Sequence, residues 1–330
     1  MTNSNKNFFA VTTPGLSATR WLSFALASNQ DVFVTYGKHP LHSIQHGSLN
    51  REKNMGDEES ITDGNLMKWF YENLSLDEIH QIYECMKPDA KALGSVHSFT
   101  LQSLSNKIQE NPCKSPMNVT NVLRHPVSYI NSHSNLVRSA EGHELYDHYE
   151  KDLFPTALVS FPELMLIDCD NYSEFLAFTV SCLSVHNLIY DLNVSGPGLS
   201  NYRMEDLTTD PELLKSFCEE TTALPYELPV LSQMIQGGAI NTHKKDTTRK
   251  TPLDIYNQWE SWQKDICRIM IPRAVLEMFG KNGYEIDMMN ISKCKPVYSE
   301  AKHDFTPGVC LADYLAKHHP SHHGLQLITG

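Results

Sequence analysis

The stretch FFAVTTPGLSATRWLSFALA, residues 8–27, decides the fold. Its first five residues are an apolar run that predicts a buried strand, and the proline and glycine that follow predict a turn. From Thr19 onward the side chains repeat at helical spacing. The predicted apolar face of that helix consists of Trp21, Phe24, Ala25 and Ser28. A strand, a turn of small residues and a helix, in this order, commonly hold a phosphate group in proteins. The turn nevertheless carries Leu16 where a phosphate loop normally presents a cation.

Further apolar runs indicate that strands alternate with helices along the chain. The predicted strands are Phe8–Thr12, Asp31–Thr35, Ala92–His97, Asn118–Leu123 and Leu164–Cys169. Longer helical stripes are predicted over Leu66–Met86, Tyr172–Val185 and Pro252–Phe279. Because strands that alternate with helices form parallel sheets with helices on both faces, we expect a three-layer α/β/α fold with a central parallel sheet of about five strands.

Length and composition are typical of an ordinary globular protein, built as one large α/β domain or as two small ones. The chain has 330 residues, of which 41% are hydrophobic, and this is ample for a sizeable core. We expect a single domain over residues 1–330, in which about 291–330 lack periodicity and form an irregular C-terminal extension. No apolar run approaches the roughly 18 residues of a membrane span. Since residues 1–9 also lack the apolar core of a secretory signal, we expect a cytoplasmic protein without a membrane partner.

Charge and cysteine usage narrow the classes of partner. The net charge is −12, whereas nucleic-acid-binding proteins usually carry a basic face, so no nucleic-acid partner is expected. An acidic surface can attract a cationic small molecule, although net negative charge also serves solubility alone. The eight cysteines are scattered without a CxxC pair, which predicts free thiols, several of them buried, in a reducing compartment. The sequence is compatible with a homo-oligomer but carries no signal for one.

The turn at 13–20 has the composition of an anion site. Its small residues let backbone N–H groups approach a ligand closely, and the hydroxyls of Ser17 and Thr19 add donors. A helix that begins near Thr19 aims its first N–H groups and its positive dipole end at the same point. The nucleotide-triphosphatase pattern GxxxxGK[ST] is absent, which argues against ATP or GTP hydrolysis. An ordinary turn between a strand and a helix is the alternative interpretation.

A second stretch, NVTNVLRHPVSYINSHSNLV at 118–137, favours the anion interpretation. Arg124 follows the predicted strand, where its guanidinium can fork onto a phosphate. Pro126 favours the first turn of a helix, and Ser132 lies about two turns along that helix, where it can reach the same phosphate. The alternative is a surface arginine and a serine on a helix face, and it would be preferred if Arg124 stood alone.

Together these motifs resemble those of the sulfotransferase family. PGLSATRWL resembles the family's 5′-phosphosulfate loop, in which a basic residue precedes Ser-Gly-Thr-Thr-Trp, and LRHPVSYINS resembles its 3′-phosphate element. His97, at the end of the strand between these elements, occupies the place of the family's catalytic histidine. Three later segments, LMLIDCDNYSEFLAFTVSCL, TPLDIYNQWESWQKDI and MFGKNGYEI, are similar to later elements of the family, so the resemblance covers roughly residues 8–290 in order.

The resemblance implies a fold, a donor and a set of site residues. The fold would be the P-loop-kinase-like sulfotransferase fold, the donor 3′-phosphoadenosine-5′-phosphosulfate (PAPS), and the product 3′,5′-adenosine bisphosphate (PAP). His97 would be the general base that takes a proton from the acceptor hydroxyl or amine. No metal is required for sulfuryl transfer. The implied cofactor-binding residues are Pro14, Gly15, Leu16, Ser17, Ala18, Thr19, Arg20, Trp21, Arg124, Ser132, Arg249 and Lys250.

The sequence departs from the family at the residue that would neutralise the leaving group. The family has Lys or Arg at the position of Leu16, where a cation stabilises charge on the bridging oxygen, and it has glycine at the position of Ala18. Arg20, one turn into the helix, is the first candidate to supply the missing charge, and Lys38, just past the second strand, is the second. The family's basic loop over the 3′-phosphate corresponds to a region with Lys244, Lys245, Arg249 and Lys250, one or two of which would touch that phosphate.

Three functions are compatible with these residues. The first is a PAPS-dependent sulfotransferase that modifies a hydroxyl or amine of a small molecule, such as a natural product or a cationic alkaloid. The second is a catalytically degenerate relative that binds nucleotide without turnover, and Leu16 is its main support. The third, a kinase-like phosphotransferase, is disfavoured by the missing lysine and the missing GxxxxGK[ST] pattern.

Overall fold

The computed structural model of the protein describes residues 6–36, 71, 73–113, 117–142, 144–192, 194, 199–237 and 250–286. The strands are β1 (Asn7–Thr12), β2 (Val32–Tyr36), β3 (Ala92–Val96), β4 (Met117–Leu123) and β5 (Leu199–Arg203). The α-helices are α1 (Thr19–Ala27), α2 (Leu76–Met86), α3 (Leu101–Glu110), α4 (Pro126–Ser139), α5 (Glu144–His148), α6 (Phe154–Ser160), α7 (Tyr172–His186), α8 (Met204–Leu207), α9 (Pro211–Thr222), α10 (Leu228–Gln236), α11 (Pro252–Gln258), α12 (Ser261–Met270) and α13 (Arg273–Lys281). Shorter turns are the π-helical Tyr149–Leu153 and the 3-10 segments Pro162–Leu166 and Asn187–Asp191.

The chain divides into two compact units. The first comprises Met1–Arg124 and Asn193–Thr247, and the second comprises His125–Leu192 and Thr248–Gly330. Of the described elements, the first unit holds the five strands with six of the helices, and the second holds the remaining helices. The expectation of a single domain over residues 1–330 stays a prediction, and the extension at 291–330 lies outside the described residues.

The sheet of the first unit is parallel throughout, with the strand order β2-β3-β1-β4-β5. In its register Val11 of β1 pairs with Val96 of β3, and Thr12 pairs with Asn121 of β4. Because these strands are parallel, their carboxyl ends meet at one edge of the sheet. The loop after β1 and His97 after β3 are therefore neighbours. Ligands of open α/β sheets bind at this edge, outside the carboxyl ends of the strands.

Two apolar clusters cover the two faces of this sheet. Phe9 and Val11 point into a cluster with α1, α9 and α10, whereas Phe8 and Ala10 point into a cluster with α2 and α3. Alternate residues of one strand point to opposite faces, so the apolar run of β1 fills both layers. The predicted three-layer α/β/α arrangement with a five-stranded parallel sheet is confirmed.

The second unit is a packed set of helices. Helix α7 is buried along most of its length, and α4 and α12 pack against it. Phe178 of α7 meets Trp259 and Trp262 in edge-to-face contacts with ring centroids 5.0 Å and 5.6 Å apart. These aromatic contacts build the core of the unit.

Several element predictions are wrong in detail. The run predicted as a strand at Leu164–Cys169 is not one: Pro162–Leu166 is a 3-10 turn, and β5, a half-buried strand that alternation did not reveal, forms the fifth strand. The stripe over Pro252–Phe279 is three helices, because Trp259–Glu260 and Ile271–Pro272 adopt extended backbone between them. The strand at Ala92–His97 ends at Val96.

Helix α1 also differs from the prediction. Its buried face consists of Thr19, Trp21, Leu22, Ser23, Ala25 and Leu26, while Ser28 lies beyond its end and is exposed. Arg20 is the second residue of α1 and so lies in its first turn, nearer the loop than one full turn into the helix.

The remaining global predictions concern thiols and membranes. All six described cysteines are free, and Cys182, Cys218 and Cys267 are buried, as predicted. Among the described residues, no helix combines the length and the apolarity that crossing a membrane requires.

Candidate functional site

The loop between β1 and α1 has an unusual backbone. Gly15, Leu16 and Ala18 have φ angles of 96°, 51° and 53°, so three residues of a four-residue stretch are left-handed. Left-handed backbone is disfavoured for residues with a Cβ and is found where surrounding structure enforces it. In a turn, left-handed residues can direct successive N–H groups toward one concave surface, which is the form of an anion-binding nest.

Side chains of the loop brace it from within. The Gly15 N–H donates to the Thr13 Oγ1 at 3.2 Å, and the buried Ser17 Oγ donates to the Gly15 carbonyl at 3.0 Å. The Thr19 Oγ1 donates to the Tyr36 hydroxyl at 3.3 Å. A hydroxyl has one proton to donate, and Ser17 and Thr19 use theirs on the Gly15 carbonyl and the Tyr36 hydroxyl. Their donation to a ligand stays a prediction.

Helix α1 begins directly after the loop without a side-chain cap. Its N-cap residue is Ala18, which offers no side-chain acceptor, and its first turn contains no acidic residue. The amide groups of a first helical turn lack intrahelical partners and carry the positive end of the helix dipole. An anion placed in the loop would meet this end of the helix.

His97 lies against the loop. A Cβ built on Gly15 would be 3.1 Å from the His97 Cε1 and 3.6 Å from its Nε2, so the imidazole lies over the glycine. The His97 N–H donates to the Val11 carbonyl at 2.9 Å, which extends the pairing of β3 and β1 by one residue. His97 itself has a φ of 65°. Left-handed backbone in a bulky residue is a strained state that often marks a functional site.

Arg124 reaches the same loop. It follows β4, and its Nη1 donates to the Leu16 carbonyl at 2.6 Å. The guanidinium is thus placed at the backbone of the residue where the resembled family has its cation. A guanidinium carries five N–H donors, so one side chain can hold a loop and also contact an anion.

Two hydroxyl and amide networks support this edge of the sheet, and the sequence did not reveal them; the first runs from buried Thr12 and Asn121 to the exposed Asn201. Beneath the loop, the Thr12 Oγ1 donates to the Asn121 Oδ1 at 3.0 Å, and the Asn121 Nδ2 donates to the Asn201 Oδ1 at 2.9 Å. This ladder crosses three adjacent strands. Because a buried polar network is costly unless its members are paired, it fixes one arrangement of the strand ends.

The second network holds the end of β2. Thr35 Oγ1 lies 3.0 Å from the Tyr71 hydroxyl and 3.1 Å from the Tyr83 hydroxyl, and the two phenols are 2.6 Å apart. Burial raises the pKa of both phenols, that of Tyr83 well above its ordinary value, so they act as neutral hydrogen-bonding groups. The next residue, Tyr36, has its ring 6.4 Å from that of His97 and accepts from Thr19. Only its position after an apolar strand could have drawn attention to it.

The other predicted site residues divide into three groups. Pro14 and Arg20 are half-buried in the loop region, while the Trp21 side chain is buried in the core and leaves only its backbone for a ligand. Ser132, on α4, and Lys250, whose Nζ donates to the Gln258 Oε1 at 2.8 Å, belong to the second unit. Lys38, Lys244, Lys245 and Arg249 lie outside the described residues.

The second unit also contains an open cavity of about 660 Å³. Its acidic lining comes from Glu141, Asp147, Glu150 and Asp170, with Tyr146 and Tyr172 beside them. None of the predicted site residues lines this cavity. The loop, His97 and Arg124, by contrast, combine strained backbone, a helix N-terminus, an imidazole and a guanidinium, and we take them as the candidate site.

Comparison with known proteins gives matches among solved structures alone. No family model and no curated protein matches the sequence. The chain is similar to a sulfotransferase domain from the curacin biosynthetic pathway, with 14% identity over 85% of this chain and 98% of that chain and a TM-score of 0.41. It is also similar to a sulfotransferase domain from the Synechococcus PCC 7002 olefin synthase, with 15% identity over 86% of this chain and 97% of that chain and a TM-score of 0.40.

A third similar structure is a sulfotransferase from Alicyclobacillus acidocaldarius, with 17% identity over 70% of this chain and 90% of that chain and a TM-score of 0.37. All three are sulfotransferases, the class whose motifs the sequence resembles. Since every TM-score is below 0.5, the function proposed below rests on the residues of the site.

Proposed function

We propose that the protein is a PAPS-dependent sulfotransferase that acts on a hydroxyl or amine of a small molecule. The observation that carries the proposal is the contact of the His97 ring with Gly15, because it brings a potential general base onto a loop shaped for an anion. A phosphate loop alone would fit many nucleotide-binding proteins. A histidine beside the loop can accept a proton during a reaction of a group that is attached to the bound phosphate.

The loop would hold the 5′-phosphosulfate of the donor. The left-handed residues Gly15, Leu16 and Ala18 curve the backbone, and α1 adds its uncapped first turn. Anions are stabilised at such a helix end by its dipole and by its N–H groups. The residues present therefore fit an anionic donor of this kind.

When bound, PAPS supplies the sulfuryl group: the acceptor oxygen or nitrogen forms a bond to sulfur as the bond from sulfur to the 5′-phosphate oxygen breaks. His97 removes the acceptor proton. Its Nε2 is the ring nitrogen nearer the loop, 3.6 Å from a Cβ built on Gly15. A general base of this kind contributes roughly 10²–10⁴-fold to a rate. The left-handed φ of 65° sets the direction in which the His97 side chain leaves the backbone.

Two described arginines are candidates for the charge missing at Leu16. Arg20 lies in the first turn of α1, and Arg124 donates to the Leu16 carbonyl. We retain Arg20 as a proposed source and add Arg124, because its contact is with Leu16 itself. Lys38 remains a proposed third source. A cation that stabilises developing charge in a site of this kind is worth about 10²–10³ in rate.

The 3′-phosphate of the donor would be held by basic and hydroxyl groups after β4. Arg124, Ser132, Arg249 and Lys250 are kept as proposed contacts of this phosphate, although Ser132 and Lys250 belong to the second unit and Arg249 lies outside the described residues. The acceptor is proposed to be a natural product, and a cationic alkaloid suits the net charge of −12. No metal is assigned to the transfer, and a cytoplasmic location is proposed.

A catalytically degenerate nucleotide-binding protein is the second candidate, and Leu16 favours it. A melting-temperature assay separates the classes, because a ligand that binds the folded chain raises the melting temperature. PAP should stabilise the protein and ATP should not. Incubation with PAPS and an acceptor panel, read by PAP release, then divides enzyme from binder. Stabilisation by ATP in preference to PAP would overturn both candidates.

A further inference from the structure

Three side chains with metal-binding atoms converge in the first unit, away from the loop. They are Asp77 and His80 of α2 and Cys113, which lies between α3 and β4. The Cys113 Sγ is 3.3 Å from the Asp77 Oδ1 and 3.4 Å from the His80 Nδ1. All three ligand atoms lie within 4.8 Å of one another.

The two distances from the sulfur suit a tetrahedral ion. Zinc binds sulfur at about 2.3 Å and nitrogen or oxygen at about 2.0–2.1 Å, so two ligand atoms of a tetrahedral site are separated by about 3.3–3.6 Å. The two sulfur distances fall at this separation without movement of either partner. A thiolate, an imidazole nitrogen and a carboxylate are also the three ligand types that zinc prefers.

The surroundings hold the ligands in place. The His80 ring stacks on Phe8 with the ring centroids 3.7 Å apart and the planes at 13°, and only 6% of the residue is exposed. Asp77 and His80 are three residues apart on one helix, a spacing that puts both side chains on the same face. Asp77 and Cys113 are half-buried, which leaves a path for an ion. Phe8 belongs to the amino-terminal end of β1, whereas the candidate active site follows its carboxyl end.

We propose that Asp77, His80 and Cys113 form a zinc site that ties α2 to the segment before β4. Binding displaces the thiol proton to solvent, and the thiolate and carboxylate charges balance the charge of the ion. Three protein ligands leave the fourth position of the tetrahedron to water. The site lies apart from the candidate active site, so metal binding is expected to be independent of sulfuryl transfer.

Cobalt spectroscopy tests the site, because Co²⁺ bound by a thiolate gives a charge-transfer band that histidine or carboxylate ligands alone do not give. Full-length protein freed of metal should bind one equivalent of Co²⁺ with this band. Cys113→Ser should lose the band. The matched control Cys85→Ser removes an exposed thiol from α2, the helix of Asp77 and His80, and should keep the band. The proposal is overturned if wild type gives no thiolate band, or if Cys113→Ser keeps it.

Zinc itself gives two further measurements. His80→Gln should weaken Zn²⁺ binding by more than the roughly 10–100-fold that loss of an outer-shell partner causes. In the unaltered chain, Zn²⁺ should protect Cys113, but not Cys85, from iodoacetamide, read for each cysteine by mass spectrometry. This measurement needs no variant to fold. Equal alkylation of Cys113 with and without Zn²⁺ would show that the three groups form only a hydrogen-bonded thiol cluster.

Discussion

The His97 ring and Gly15 are in contact: a Cβ on Gly15 would lie 3.1 Å from the His97 Cε1. This relationship joins the two elements that the proposed chemistry needs, an anion loop and a proton acceptor. Two properties therefore oppose a larger residue at position 15. A Cβ would press on the His97 ring, and the φ of 96° is one that L residues rarely adopt.

Gly15→Ala should therefore lower turnover by roughly 10²-fold, because displacing a catalytic group by about 1 Å has an effect of that size. The matched control is Gly142→Ala, which has a similar φ of 86° and nothing within 4 Å of the new Cβ. Both variants should lose stability to left-handed strain, by about 1–2 kcal/mol. Steady-state kinetics and urea unfolding of both chains check this, and equal turnover in the two variants would contradict it.

His97→Asn should lower turnover by about 10²–10⁴-fold with little change in PAP affinity. Asparagine tolerates left-handed backbone better than most residues, so the φ of 65° survives while the base is removed. The measurements are kcat with a saturating acceptor and PAP binding by calorimetry. A loss of turnover below threefold would rule out His97 as the base.

Arg124 can be tested for two roles with two donors. Arg124→Lys should lower kcat by about 10²–10³-fold if its guanidinium stabilises the leaving group beside Leu16. A donor that lacks the 3′-phosphate, adenosine 5′-phosphosulfate, separates this role from 3′-phosphate binding. If Arg124 acts only on the 3′-phosphate, wild type and Arg124→Lys should use this shorter donor equally well.

Arg20→Ala is the companion variant. Arg20 lies in the first turn of α1, so its removal should reduce kcat with both donors if it compensates for Leu16. Turnover that stays intact in Arg20→Ala and in Arg20→Lys would exclude that compensation and leave Arg124 or Lys38 as the source of charge.

His133 predicts a pH dependence of stability in the second unit. Its Nδ1 lies 3.0 Å from the Ser181 Oγ, and burial lowers its pKa to about 4. Because the unfolded chain binds a proton at this histidine near pH 6.5 and the folded chain does not, stability is present above that pH and is lost as pH falls toward 4. The loss attributable to this group is roughly 3 kcal/mol at its limit.

His133→Gln should flatten this part of the curve, since glutamine does not titrate and can still donate to Ser181. Urea unfolding at intervals from pH 7 to about pH 4 measures the difference. The attribution fails if wild type and His133→Gln lose the same free energy of unfolding over that range.

The sequence predicted the strands correctly where their side chains are apolar and buried. The runs that became β1 to β4 are apolar because the sheet is covered on both faces, so they were predicted within one or two residues. β5 was missed because its sequence, LSNYR, is half-buried and polar, with Asn201 paired to Asn121. The apolar run at Leu164–Cys169 gave a false strand because its first half belongs to the proline-led 3-10 turn Pro162–Leu166, in which Leu164 is buried while Leu166 is 49% exposed.

The site was predictable in part for the same reason. The glycine, the strand-end histidine and the strand-end arginine follow from chain order in a parallel sheet, and the described residues place them at one edge. The left-handed backbone of Leu16, Ala18 and His97 was not predictable, because the intrinsic preferences of these residues oppose it. The contact between Tyr36 and Thr19 depends on tertiary packing alone.

Among the described residues, two alanines of the first unit have left-handed backbone, and a stabilising substitution is expected to affect activity at only one of them. Ala223 follows the last residue of α9 and has a φ of 55°, at a position where helices favour glycine. Ala223→Gly should therefore raise the free energy of unfolding without lowering turnover. Ala18→Gly relieves the same strain in the loop after β1. There the glycine makes the backbone more flexible, so the N–H groups are held less firmly toward an anion. An engineer who raises the melting temperature of this protein should therefore begin at Ala223 and leave Ala18 as it is.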